Sequence, residues 1–431
     1  MIRKSTIPFL IFFSFFSENH LAYAQRWDYQ TRGHLFARIN SYKEKTVSNF
    51  GQQTRLHFEQ SLNVGKNFSA LNQVRSSSNS LNLDLSNAAQ PSESTQKKES
   101  FETYLGENYL KYKSENWVTL LGYQEVVWGE AFGLNYADII GPKDHRETLY
   151  SDASDARLPL LMFNGKSFFS IGNFSGSLQF IFSPEPRFSK TLPLTLFASN
   201  QFSNMTLKVN KEKTPELFKK TEIGGRFAGS YAGLDFSVFT FSYFDRDPHY
   251  KIANLTSTTI NFDEVHNKIS STGISLAKTF SDFVFRMDLV LNTDKNINYI
   301  QVNQLKSFST NAMNTVISLD TPNYQDYSGV LVFAQSSIND YLPYSFRDKK
   351  EQFLIGKISK NLGNDRNLEF SYTRELAQSG YSMQSFINWP INSTTDLKFG
   401  GQYYHGNESS MLNKYKNISS LFFSLKNYFQ L

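Results

Sequence analysis

The sequence predicts an all-β fold, a transmembrane antiparallel β-barrel of about 16 strands, within a range of 14 to 18 at about 9–11 residues per membrane strand. Three observations lead there. Short segments alternate apolar and polar residues with period two. The connections between them alternate between short and long. Aromatic residues are abundant, with 40 Phe and 23 Tyr, although the mean hydropathy is only −0.42. A barrel reconciles the last pair, because its outer face is apolar and girdled with aromatics while its inner face stays polar.

The chain begins with an address. Arg3 and Lys4 precede an apolar run from Ile7 to Phe16, then polar Ser17-Glu18-Asn19-His20, then Ala22-Tyr23-Ala24. This pattern predicts a signal peptide over residues 1–24, cleaved after Ala24, with residues 25–431 expected to form the barrel. The apolar run is shorter than the roughly 20 residues that a helix needs to cross a bilayer. The chain has no cysteine, which suits passage through an oxidising compartment and excludes a lipid-modified Cys. The net charge of +5 is nearly balanced and carries no stripe for nucleic acid.

Alternation is clearest in the last segment. Leu421, Phe423, Leu425, Phe429 and Leu431 fall on one face, and Ser420, Ser424, Lys426 and Gln430 on the other, with Phe422, Asn427 and Tyr428 as exceptions. Leu234, Phe236 and Val238 alternate with Asp235 and Ser237, and 117–123 and 367–372 read similarly. Short connections fall at 113–116, 231–233, 279–282, 361–367 and 391–395. Long polar ones fall at 76–100, 129–166, 184–220 and 406–417. Short periplasmic turns and long extracellular loops are the barrel pattern. The region 294–326 is the least regular, and one hairpin there separates the lower strand count from the higher. The terminal Phe429-Gln430-Leu431 resembles the signal read by barrel-assembly machinery, which makes that machinery an expected partner alongside outer-membrane lipid.

The most distinctive stretch runs from Gly122 to Met162. It contains Gly122-Tyr123-Gln124-Glu125-Val126-Val127-Trp128-Gly129-Glu130, then Gly141-Pro142-Lys143-Asp144, then Leu158-Pro159-Leu160-Leu161-Met162. It resembles an outer-membrane β-barrel family catalogued mainly as a domain of unknown function. That family has a strand ending in G-x-Q-x-x-x-W-G-E, a P-x-D turn and an L-P-x-x-M segment. The residues that carry the resemblance are Gln124, Trp128, Gly129, Glu130, Pro142, Asp144 and Pro159; Gly141 stands where the family usually has Asn. Glu222 to Asp247, read as a hairpin, is compatible with it. The resemblance implies transport of bulky or hydrophobic compounds, in company with periplasmic or inner-membrane transport partners.

Read physically, Val126-Val127-Trp128 ends a strand, Gly129 permits a sharp turn, and Trp128 sits at a membrane interface. The loop that follows is expected to fold into the lumen. Glu130, Asp144, Arg146 and Arg157 either line a constriction with opposed charges or pin the loop through salt bridges.

Chemistry finds little support. His405-Gly406-Asn407-Glu408-Ser409 has the wrong spacing for a His–Ser nucleophile pair. Asp144-His145 lies near Asp152 and Asp155, but adjacent strand residues point opposite ways. Asp245-Arg246-Asp247-Pro248-His249-Tyr250 reads as a charged loop tip rather than a calcium loop. No metal motif, phosphate loop or cofactor signature occurs. Three functions stay open: a channel for small or amphipathic solutes, a conduit for hydrophobic or polymeric cargo, and a structural or adhesive barrel. The face taken by the Phe and Tyr residues separates them.

Overall fold

A computed structural model of the chain describes residues 27–43, 48–79, 100–145, 156–190, 206–301, 304–407 and 409–430. Eighteen antiparallel strands form one closed sheet. The first seven are β1 (Trp27–Lys43), β2 (Ser48–Val64), β3 (Phe68–Asn79), β4 (Ser100–Lys113), β5 (Trp117–Gln124), β6 (Leu160–Ile171) and β7 (Phe174–Ser183). The wall continues through β9 (Glu222–Tyr231), β10 (Leu234–Phe244), β13 (Lys268–Phe280), β14 (Phe283–Gln301), β15 (Gln304–Asp320) and β16 (Tyr327–Ile338). It ends with β17 (Lys350–Asn361), β18 (Asn367–Glu375), β19 (Tyr381–Asn392), β20 (Thr395–His405) and β21 (Ser420–Gln430). β21 pairs with β1 from Arg32↔Gln430 to Tyr42↔Ser420, so the sheet has no free edge. Among the described residues β8 (Thr206–Asn210), β11 (His249–Leu255) and β12 (Thr259–Val265) form a separate small sheet in the loops, around buried Ile260 and Phe262.

The count is eighteen rather than about 16. The difference lies where the alternation is least regular. The long hairpin β14–β15 carries a bulge between Asn292 and Lys295, with Asp294 at φ 60°. A bulge inserts a residue and shifts the period, so neither strand reads as one continuous pattern.

All connections at one end of the barrel are short, two to six residues each. Those at the other end carry the long loops, including the 3₁₀ helix Leu412–Ile418. The outer face is apolar: Leu35, Leu121, Leu178, Leu331, Phe399 and Leu421 are all exposed. Aromatic clusters mark the two ends of this band. Phe169, Phe174, Phe227 and Phe236 gather near the short turns, and Tyr372, Tyr381, Tyr403 and His405 near the loops. Such girdles sit at the two interfaces of a bilayer. Phe422, an exception to the outward pattern, points inward beneath the Arg38 guanidinium, 4.0 Å from its ring centre.

Residues 1–24, Arg146, Asp152, Asp155 and Leu431 lie outside the described residues, and with them the expected signal peptide and cleavage site.

Candidate functional site: a strap across the lumen

β5 stops at Gln124, four residues earlier than the sequence suggests. From there residues 125–145 leave the wall and enter the lumen, and residues 156–159 lead back to the wall at Leu160. Gly122 makes the exit possible. Its φ is +135°, and a Cβ there would collide with the Asn108 carbonyl oxygen.

Trp128 is not at a membrane interface. It is fully buried inside the barrel, packed against Phe239 and Phe241 of β10 at ring separations of 5.2 and 6.0 Å. Ala137, Ile139, Ile140, Leu160, Met162, Ile181, Tyr243, Ile269 and Val290 complete this core. The inward aromatics are therefore a dock for the strap. Phe239 and Phe241 lie flat on the wall because Gly273 and Gly224 leave room for their rings.

A chain of side-chain amides joins the wall to the strap. Asn164 Nδ2 donates to Gln124 Oε1 at 3.2 Å, and Gln179 Nε2 donates to Asn164 Oδ1 at 2.9 Å. Trp128 Nε1 then donates to Gln179 Oε1 at 3.0 Å. Gln124 also donates to the Met162 carbonyl at 2.9 Å. The Gln and Trp of the sequence motif are thus the two ends of one network.

Gly129 turns the strap at φ +98°. A Cβ would meet Asn135 Oδ1 at 2.5 Å and Asp288 Oδ2 at 2.9 Å. This tight turn aims two successive backbone N–H groups, of Glu130 and Ala131, at the buried Asp288 carboxylate of β14, both at 3.0 Å. Ala131 then packs with Val316, Val332, Ala334 and Phe353 on the opposite wall. The strap tip hangs across the lumen on β14 to β17.

The expected charged residues divide between two places. Glu130 meets Arg226 of β9 at 3.1 Å and is partly exposed to the lumen. Asp144 and Arg157 sit elsewhere, where the strap doubles back. Arg157 pairs with Asp138 at 3.2 Å, and Lys143 reaches the same carboxylate at 3.2 Å. Asp144 is buried, 3.4 Å from Lys190, and its N–H donates to the Ala156 carbonyl. The Pro142 carbonyl accepts from Leu158 N–H at 2.9 Å, and the Pro159 carbonyl from Arg187 Nη1 at 2.6 Å.

Three anchors escaped the sequence reading. Asp288 is one. Glu222 and Arg246 are the others, a buried bidentate pair with both contacts at 2.8 Å. Arg246 Nη2 also donates to the Ile140 carbonyl at 2.6 Å and Nη1 to the Arg187 carbonyl at 3.0 Å. The segment 245–250 is therefore not a solvated loop tip at its start. At the root of the strap, Glu125 stands 3.0 Å from Arg75. Burial, reinforced by nearby Glu107, pushes the Glu125 carboxyl up to about 7 against the pull of Arg75.

No family model matches the sequence, and the curated proteins contain no match. Solved structures do match in fold. OccAB3 of Acinetobacter baumannii aligns over 94% of this chain and 100% of its own, with a TM-score of 0.53 and 11% identity. OccK8 (OprE) of Pseudomonas aeruginosa aligns over 94% and 98%, with a TM-score of 0.52 and 8% identity. OccK2 (OpdF) of the same organism gives the same coverage, TM-score and identity. At these identities the likeness is one of fold. With the closed wall, apolar band and inward strap, it defines the class: a porin-like outer-membrane β-barrel.

Proposed function

We propose that the barrel is a channel through which small or amphipathic solutes cross the outer membrane, with a preference for anions. The carrying observation is the lumen wall facing inward from β20 through β3. On it Lys398 lies across from Ser424, which lies across from Arg38. One tier away Lys426 lies across from Phe36, which lies across from Arg55. Arg32 and Arg75 extend this face, paired with Glu59 and Glu125, and Asp396 lies across from Lys426. Several of these cations rest on aromatic rings: Lys398 is 3.7 Å from the Phe386 ring centre and Lys426 is 5.0 Å from that of Tyr428. A wall on which cations outnumber carboxylates concentrates anions.

In this reading Glu130 and Arg226 set the charge beside the passage, while Asp144 and Arg157 hold the strap in place. Assembly machinery acts on β21, the closing strand, and lipid covers the apolar band. The conduit for hydrophobic cargo draws less support, because the inward aromatics are already covered by the strap.

The test is single-channel recording of the refolded barrel in planar bilayers under a salt gradient. Steady steps with an anion-selective reversal potential are expected, moving toward cation selectivity in Lys398→Glu combined with Lys426→Glu. No steps from folded protein, or cation selectivity in the wild type, would overturn the proposal.

A further inference from the structure

A chain that crosses a watery lumen is expected to turn apolar side chains to the wall and polar ones to the water. The strap does so at Trp128, Ala131, Ile139 and Ile140, all buried. Its tip does the reverse. Phe132 and Leu134 are 42% and 37% exposed. The strap lies inside a closed wall, so these side chains face the water of the lumen.

The backbone fixes this arrangement. Phe132 N–H donates to Ser318 Oγ of β15 at 3.4 Å. Between the two exposed residues, a Cβ on Gly133 would point at the wall, 3.5 Å from Val332 and 3.6 Å from Ile355. The side chains on either side of it are left facing the passage. The charges beside the tip are neutralised in pairs. Lys357 Nζ lies 5.1 Å from the Phe132 ring centre and 2.6 Å from Glu369, and Glu130 pairs with Arg226 at 3.1 Å. The tip thus presents apolar surface between two ion pairs.

The strap packs on strands from β7 to β17, through Ile181, Phe239, Ile269, Val290, Val332 and Phe353. The passage is left between it and the wall from β20 to β2, where Lys398, Lys426 and Arg55 face inward. The two sides of the passage differ in kind, with cations on one and apolar side chains on the other. A small inorganic anion uses only the first. An anion that carries an alkyl or aryl group meets both, and a cation of the same shape is repelled by the wall.

Resting on the anion preference proposed above, we infer that Phe132 and Leu134 form a lumenal binding site for the apolar part of an organic anion whose charged head lies on the β20–β2 wall. The barrel thereby sorts anions by their apolar part and holds amphipathic ones longer than inorganic ones.

The experiment records chloride current through the refolded full barrel in planar bilayers, with methanesulfonate or hexanesulfonate added. The two carry the same charge and differ only in chain length. Hexanesulfonate should block at about tenfold lower concentration. Full burial is worth roughly fourfold per methylene, and a one-sided site recovers part of that. Phe132→Ser should erase most of the difference while the reversal potential stays in place, and Phe132→Leu should keep it. Leu134→Ser should reduce it, and decides the matter if Phe132→Ser does not refold. Equal block by the two sulfonates in an anion-selective wild type, or an undiminished difference in the folded serine variants, would overturn the inference and leave the channel reading standing. A silent or cation-selective wild type would remove that reading and the inference with it.

Discussion

Gln124 and Trp128 are four residues apart in the chain and are joined in space by two borrowed amides, those of Asn164 and Gln179. The wall residue and the strap residue thereby share one hydrogen-bond network. Gln179→Leu should leave the Trp128 N–H buried without an acceptor, at a cost of about 1–3 kcal/mol. Trp128→Ala should cost more, roughly 3–5 kcal/mol, by emptying the centre of the core. Urea unfolding in micelles, followed by tryptophan fluorescence for the first and by circular dichroism for both, measures the order. An unchanged midpoint for Gln179→Leu would show that the network does not hold the strap.

Asp288 grips the strap tip through two charge-assisted bonds, each worth about 1.5–3 kcal/mol. Asp288→Asn presents an amide of the same shape but removes the charge that both N–H groups face. The expected outcome in bilayer recordings is a larger mean conductance with more open-channel noise, because the tip is freed from β14.

Glu130 and Arg157 belong to different devices and should fail differently. Glu130→Gln removes charge beside Arg226 in the lumen and should shift the reversal potential toward anions with little change in melting. Arg157→Gln breaks the pair with Asp138 and should lower the melting temperature while leaving the reversal potential in place. A shifted reversal potential in Arg157→Gln would move that residue into the passage.

Glu125 gives the strap a pH dependence. Its carboxyl titrates at about 7 in the folded barrel, above the usual carboxylate range that it has in the unfolded chain. Between those values the folded state binds more protons than the unfolded one. Stability from this group is therefore present at low pH and is lost as pH rises through about 7. Unfolding midpoints of the wild type should fall across that window relative to Glu125→Gln, in which the group no longer titrates.

Most of the fold was legible in the chain because lipid and water impose opposite demands on the two faces of each strand. Leu421, Phe423 and Leu425 had to face one way and Ser420 and Ser424 the other. The β14–β15 hairpin was hard to read because the bulge at Asp294 resets the phase. Trp128 was misplaced for a different reason. A Trp after an apolar run reads the same at a bilayer surface as in a buried core, and the distinguishing contacts, Phe239 and Phe241, come from a distant strand. Asp288 gives no local sign either, since a polar residue on an inward face is expected anywhere along a watery lumen. Glu130 and Gly129 were visible as a turn with a charge, but their partners Arg226 and Asp288 were not.

The bond from Glu130 to Asp288 spans 158 residues. β14 must therefore be in the wall before the strap tip has anything to grip, although β5 and β6, which carry the strap, come much earlier in the chain. Seating the strap tip thus depends on a strand far along the chain from the two that carry it. Until then its apolar face, with Trp128, Ile139 and Ile140, has no partner. An unseated strap would expose these residues, the kind of apolar surface on which barrels awaiting completion aggregate.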